Sequence, residues 1–252
     1  MTVWKAIKIS LIFIFLGSFI YSLLDTLKFF WDLNNFQYSF YKIINNIIAQ
    51  ICSFLITKRI FFSSEKIISK KVSTNSFILI VFVLFVLGDV SFQYGFNNIL
   101  DIILKTNTMG NVNGGNIPLS YFILRLIKGC LVAPLVEELF FRKFIQENLA
   151  KCYSNTFALI SSSILFTLYH TDLNSSVQIF ILGIILGIIF IKTQRIEYSI
   201  LFHSILNFVI YIVNYSYQEQ SLQSSSSNFV YVTVGLLTII LGVWILKRKK
   251  FI

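Results

Sequence analysis

The sequence predicts an all-α fold, a polytopic membrane helical bundle of about eight transmembrane helices with both termini on the cytoplasmic side. Three observations predict it. Only 13% of the 252 residues are charged and 56% are hydrophobic, whereas a soluble domain carries roughly 25% charged residues. The apolar residues gather into eight segments, each close to the ~20 residues that cross a bilayer as a helix. The lysines and arginines collect on alternate connections, as the positive-inside rule demands.

The elements follow in order. Residues 9–24 come after Lys5 and Lys8, the layout of a signal peptide, but no small-residue cleavage site follows, so the segment reads as a retained first helix. The second segment, 40–57, ends in Lys58 and Arg59, and Lys66, Lys70 and Lys71 precede the third, 76–94. A polar linker rich in Asn and Gly, 105–120, leads into 119–136, which contains Pro134. Arg142, Lys143 and Lys151 then read as a cytoplasmic connection before 156–171. The sixth segment, 175–191, carries Gly183 and Gly187 at a spacing that lets helices approach closely. Lys192 and Arg195 separate it from 197–215. A Ser- and Gln-rich linker, 218–228, precedes 228–246 and the run Lys247 to Lys250.

Threaded this way, 16 of the 21 basic residues fall on one face. The net charge of +10 is therefore a topology signal suited to the lipid bilayer and its anionic headgroups, and it points to no nucleic acid partner. Trp4, Trp31 and Trp244 fall near span ends, where amphipathic rings prefer to lie. Cys52, Cys130 and Cys152 have no metal or redox spacing. No repeat or soluble domain interrupts residues 1–252, so the chain reads as a single membrane domain.

Ionisable residues inside spans are costly without a partner or a function. Here they form three clusters. Glu137 and Glu138 are neighbours, pointing ~100° apart on a helix, and Arg142 stands four residues beyond Glu138, the favourable spacing for an ion pair. Arg142 is thus expected to hold Glu138 and leave Glu137 free. Pro134 is expected to bend the helix and leave a carbonyl open. The two histidines of the chain are His170, one turn beyond Phe166, and His203, one turn before Asn207. His203 and Asn207 share a helix face and could both point at one developing oxyanion. Glu137 and His170 should lie level across a hairpin turning near Tyr153 and Ser154. His203 should lie roughly 10 Å below His170 at 1.5 Å per residue, an offset that tilt or a kink must absorb.

Glu137-Glu138-x-x-x-Arg142, Phe166-x-x-x-His170 and His203-x-x-x-Asn207, in this order, resemble the three motifs of the CPBP intramembrane proteases. That superfamily holds CAAX prenyl endopeptidases and bacterial bacteriocin-processing or immunity enzymes. The similarity covers about 120–215, which would be the catalytic core. It departs from the usual pattern at Ser161 to Ser163, where relatives often carry glycine.

The resemblance implies hydrolysis of a peptide bond, in a membrane-associated peptide or protein, within a water-filled cavity opening to the cytoplasm. Glu137 would be the general base that activates water and His170 would orient that water. His203 and Asn207 would stabilise the oxyanion, and Glu138 with Arg142 would hold the site together. The family has been described both as metalloproteases and as metal-independent glutamate proteases. One carboxylate and two imidazoles are donors suited to a divalent metal such as zinc, although the spacing is not H-E-x-x-H. A role in bacteriocin immunity or peptide pheromone processing follows by analogy alone.

Two other readings compete. One is a non-catalytic membrane scaffold or immunity factor of the same fold that sequesters a toxin or receptor. The other is a small transporter, disfavoured because the outer spans show no polar stripe and no inverted pair of broken segments.

Overall fold

The computed structural model describes residues 1–31, 33–64, 77–104, 118–170, 175–216 and 225–248. These form eight long helices: α1 (Val3–Thr26), α2 (Asn35–Phe61), α3 (Phe77–Leu104), α4 (Leu119–Ala150), α5 (Asn155–Tyr169), α6 (Ser176–Thr193), α7 (Ile196–Ser216) and α8 (Ser225–Arg248). Residues 105–117 and 218–224 of the two polar linkers and Lys66, Lys70, Lys71, Lys249 and Lys250 lie outside the described residues.

Six of the helices are long and apolar enough to cross a membrane. The apolar parts of α5 and α7, Asn155–Tyr169 and Ile196–Ile212, are shorter. These two carry the histidines, and they sit against α4 rather than alone in lipid. Large apolar side chains such as Phe15, Phe19, Leu79, Leu87 and Ile240 face outward, the reverse of a soluble protein and the pattern lipid requires. The protein is thus a multi-pass membrane protein.

Local chemistry sets the helix ends. Asn34 and Gln37 form a reciprocal capping box at the start of α2, with hydrogen bonds of 2.9 and 3.0 Å. The Ser154 hydroxyl caps α5 by accepting from the Phe157 N–H. Gln194 ends α6 in the left-handed region, φ 53°, and turns the chain tightly into α7.

Glycines decide the closest helix pair. A Cβ on Gly235 would lie 2.6 Å from the Phe92 nitrogen, and one on Gly95 would lie 2.6 Å from the Asn228 carbonyl oxygen. The α3 and α8 backbones therefore touch, as small residues permit between membrane helices. Gly183 meets Ser163, and Gly187 meets Leu159 and Gln146, so α6 seats on α5 in the same way.

The fourth element departs from expectation. It does not stop near 136; it runs to Ala150, and Arg142 is fully buried in the bundle, not placed on a cytoplasmic connection. Its backbone also leaves the α register twice, as π-helix at Ile127–Val132 and Glu138–Gln146. Wide turns of this kind concentrate at functional sites.

An aromatic layer closes one end of the core. Phe13 of α1 stacks on Phe140 at 4.1 Å, and Phe144 stacks between Phe62 at 4.7 Å and Phe54 at 5.9 Å. Phe141 meets Phe166 edge-on at 5.4 Å. Such pairs add to the burial of each ring.

Candidate active site

Glu137, Glu138 and Arg142 are supplied by α4, His170 caps the end of α5, and His203 and Asn207 lie on α7. The structure brings them together. One oxygen of Glu137, Oε2, stands 3.7 Å from His170 Nε2 and 4.0 Å from His203 Nε2.

Part of the expected offset of His203 is taken up by His170. Its ring folds back onto Phe166, with centroids 4.6 Å apart, and Nδ1 lies 2.9 Å from the Phe166 carbonyl oxygen. Helical side chains lean towards the N-terminus of their helix, so the imidazole sits below its own Cα, beside the Phe166 carbonyl. A carbonyl can only accept, so His170 Nδ1 carries a proton, and Nε2 is the ring atom that faces Glu137.

Glu138 is fully enclosed and spans two partners. Its Oε2 accepts from Arg142 Nε at 3.2 Å, and its Oε1 lies 3.1 Å from His203 Nδ1. The pair forms even though the backbone between its members is π-helical. Arg142 Nη1 donates to Ser162 Oγ at 3.1 Å, and the Ser162 hydroxyl donates in turn to the Phe141 carbonyl at 3.0 Å. The guanidinium also covers the Phe166 ring at 4.8 Å. A buried charge demands such satisfaction. Ser162, one of the serines at an expected glycine position, thus has a defined task.

Asn207 has a partner that sequence reasoning did not supply. Its Nδ2 donates to the Gly129 carbonyl at 2.7 Å. In the π stretch the Ala133 N–H bonds to the Lys128 carbonyl, five residues back. The next N–H in that register would serve Gly129, but residue 134 is proline and has none. The carbonyl expected to open beside Pro134 is the one Asn207 takes.

These residues form one wall of a cavity of about 730 Å³. Glu137, His170, His203 and Asn207 line it, together with Lys128 and Tyr211. The facing wall corrects the expectation that the outer spans lack a polar stripe: Ser18 and Ser22 of α1 and Asn46, Gln50 and Ser53 of α2 line the same cavity. Gln50 Nε2 reaches the Tyr169 hydroxyl at 3.2 Å, while its amide oxygen and that of Asn46 have no partner among the described residues. The spacing 46, 50, 53 places these three on one helix face and was readable from sequence.

The donors are of the kinds zinc accepts. Among the described residues, however, no three His, Cys, Asp or Glu side chains converge closely enough to hold a metal ion. Ligands ~2.0–2.1 Å from a tetrahedral ion lie about 3.3 Å apart, closer than the two gaps at Glu137 Oε2.

Residues 119–209 match the family described as type II CAAX prenyl endopeptidase Rce1-like. A protein of Bacillus subtilis (strain 168) named "Putative membrane peptidase YdiL" is 27% identical over 113 residues, which is 45% of this chain and 46% of that protein. The chain thus matches about half the length of this curated relative. All six clustered residues fall within the matched stretch, and over residues 119–209 the chain is similar to the type II CAAX prenyl endopeptidase Rce1-like family.

Proposed function

We propose that the protein is an intramembrane endopeptidase that hydrolyses a peptide bond of a membrane-associated peptide or protein, with Glu137 activating the water. The observation that supports this most is the meeting of Glu137 Oε2 with two imidazole Nε2 atoms, at 3.7 and 4.0 Å, on the wall of a polar cavity. Each gap exceeds a direct hydrogen bond and suits a water held between the groups.

In this reading Glu137 takes a proton from the water as its oxygen attacks the peptide carbonyl, and His170 Nε2 accepts the other water proton as a hydrogen bond. His203 acts from the opposite side. Its Nδ1–H is anchored by Glu138, so a protonated ring can present Nε2–H to the oxyanion while Glu138 balances its charge. The proton held by Glu137 then passes to the departing amine as the C–N bond breaks. Asn207, committed to Gly129 by one N–H, has a second amide hydrogen for the oxyanion. Arg142 and Ser162 fix Glu138 and touch no substrate.

The test is purified protein with a membrane-peptide library, comparing wild type with Glu137→Gln. Site-specific products from wild type alone support the reading. Equal products from both would end the role of Glu137, and no product from either would leave the scaffold reading.

A further inference from the structure

We infer that Gln93 binds the substrate: its amide oxygen accepts a main-chain N–H of a peptide lying extended in the cavity, and Asp89 holds that amide the right way round. This deepens the peptidase reading and rests on it.

Asp89 of α3 is fully buried in a membrane helix, and the chemistry proposed above makes no use of it. Its Oδ2 accepts from Gln93 Nε2, one turn further along α3. Its Oδ1 has no donor among the described residues. A buried carboxylate so poorly satisfied works against stability, and an acidic group inside a membrane span points to function.

The pair fixes the orientation of the Gln93 amide. The carboxylate draws the NH2 group to itself, which turns Oε1 away from Asp89. Gln93 lines the same cavity as Glu137, His203 and Asn207. Its Oε1 is not sealed inside the bundle, and no described residue donates to it. One turn further, Asn97 has its amide oxygen taken by Gln178 of α6 at 2.6 Å. Along the stripe 89, 93 and 97, the acceptor left for a ligand is therefore that of Gln93.

Helix register locates this acceptor. Phe82 and Phe85 meet Phe202 of α7 with ring centroids 5.4 and 5.9 Å apart, and Phe82 also meets Tyr198. The two helices run side by side in one direction, so Gln93, eight residues beyond Phe85, comes level with Ile210, eight beyond Phe202. Ile210 lines the cavity as well. Seven residues separate it from His203, about 10 Å along the helix. An extended peptide covers that distance in about three residues.

The N–H received by Gln93 thus belongs to a residue about three places from the bond that is cut. A helical segment spends its N–H groups on its own carbonyls, so the substrate has to be unwound there. Recognition at this point is of backbone and not of side chain. Proline and N-methyl residues, which lack the hydrogen, are refused.

The test uses the full chain in nanodiscs and apolar decapeptides capped at both ends, with a single N-methyl group moved along the peptide. Binding is measured by fluorescence anisotropy on the Glu137→Gln chain, and cleavage on the wild type. N-methylation at one position should weaken binding about tenfold. Adding Gln93→Leu should weaken the unmodified peptide to a similar degree and make the chain indifferent to the N-methyl group; Gln93→Met serves if that variant fails to accumulate. Asp89→Ala should abolish the discrimination as Gln93→Leu does, and Asp89→Asn, which keeps an acceptor for Nε2, should restore it. The ratio between the two peptides is the readout, so a merely structural loss of protein leaves it unmoved. Discrimination that survives Gln93→Leu, binding indifferent to every N-methyl group, or binding of no peptide at all overturns the inference, and cleavage by the wild type would then still support the peptidase reading. A chain that discriminates as expected but cleaves none of the peptides loses the peptidase reading and keeps the subsite.

Discussion

Asn207 of α7 donates to the carbonyl of Gly129 on α4 at 2.7 Å, and Pro134, five residues further along α4, is the reason that carbonyl is free. The two helices are joined by a bond that exists because proline cannot complete the wide turn. Asn207→Ala should therefore leave a half-buried carbonyl unpaired and cost about 1–3 kcal/mol. In a Pro134→Ala background the loss should shrink, because residue 134 then has an N–H to offer. Thermal unfolding of the four proteins in detergent measures this coupling; equal losses in both backgrounds would refute it.

Glu137→Gln keeps the shape of the side chain and removes the proposed base. Turnover should fall about 10²–10⁴-fold while the amount of protein in the membrane stays at the wild-type level. Among the described residues Glu137 makes no direct hydrogen bond, its approach to His170 being 3.7 Å, so folding has little to lose. Quantitative immunoblotting beside the cleavage assay separates the two effects.

The Glu138–Arg142 pair behaves in the opposite way. Both side chains are fully buried, so Arg142→Leu strands a carboxylate in the bundle at a cost of about 3–5 kcal/mol. Protein should disappear from the membrane. Combining Glu138→Gln with Arg142→Leu should restore much of the amount yet not the activity, because His203 loses its anionic anchor. Activity returning with the protein would show that the anchor is dispensable.

Chelation is a further test. The gaps at Glu137 Oε2 are wider than a zinc shell, so cleavage should continue unchanged in excess EDTA or phenanthroline. Loss of activity with a chelator, regained on adding zinc alone, would contradict a metal-free base.

Gly235→Ala should separate α3 from α8. The new Cβ would stand 2.6 Å from the Phe92 nitrogen and 2.7 Å from the Gly88 carbonyl oxygen, both backbone atoms that no rotamer change can move. A loss of about 1–3 kcal/mol is expected from overpacking. The apparent unfolding temperature should drop, with the site geometry and KM kept in the protein that remains folded.

Much of this molecule is legible in its residues. Scarce charge and alternating basic connections announce the bundle, and rarity singles out His170 and His203, since lipid excludes imidazole unless something holds it. Arg142 misleads for a physical reason: beside Lys143 it reads as a helix end in water, and only Ser162 and Phe166, twenty or more residues later, make its burial tolerable. The π register carries no composition signal, because it is imposed by packing. Asn46, Gln50 and Ser53 do show a helical spacing. What cannot be read is that α1 and α2 fold across the front of α4 and turn that face towards Glu137.

The burial of Arg142 also constrains how the chain is made. At the ribosome exit α4 emerges with Glu137, Glu138 and Arg142 in a stretch otherwise suited to lipid, each worth about +2.5–3.5 kcal/mol against insertion on its own. Ser162 follows 20 residues later and His203 follows 65 residues after Glu138. The nascent α4 must therefore linger at the translocon, or in a chaperone's hands, until α5 and α7 arrive, so that this segment is the last of the core to settle and a chain truncated before α7 should be degraded rather than stored.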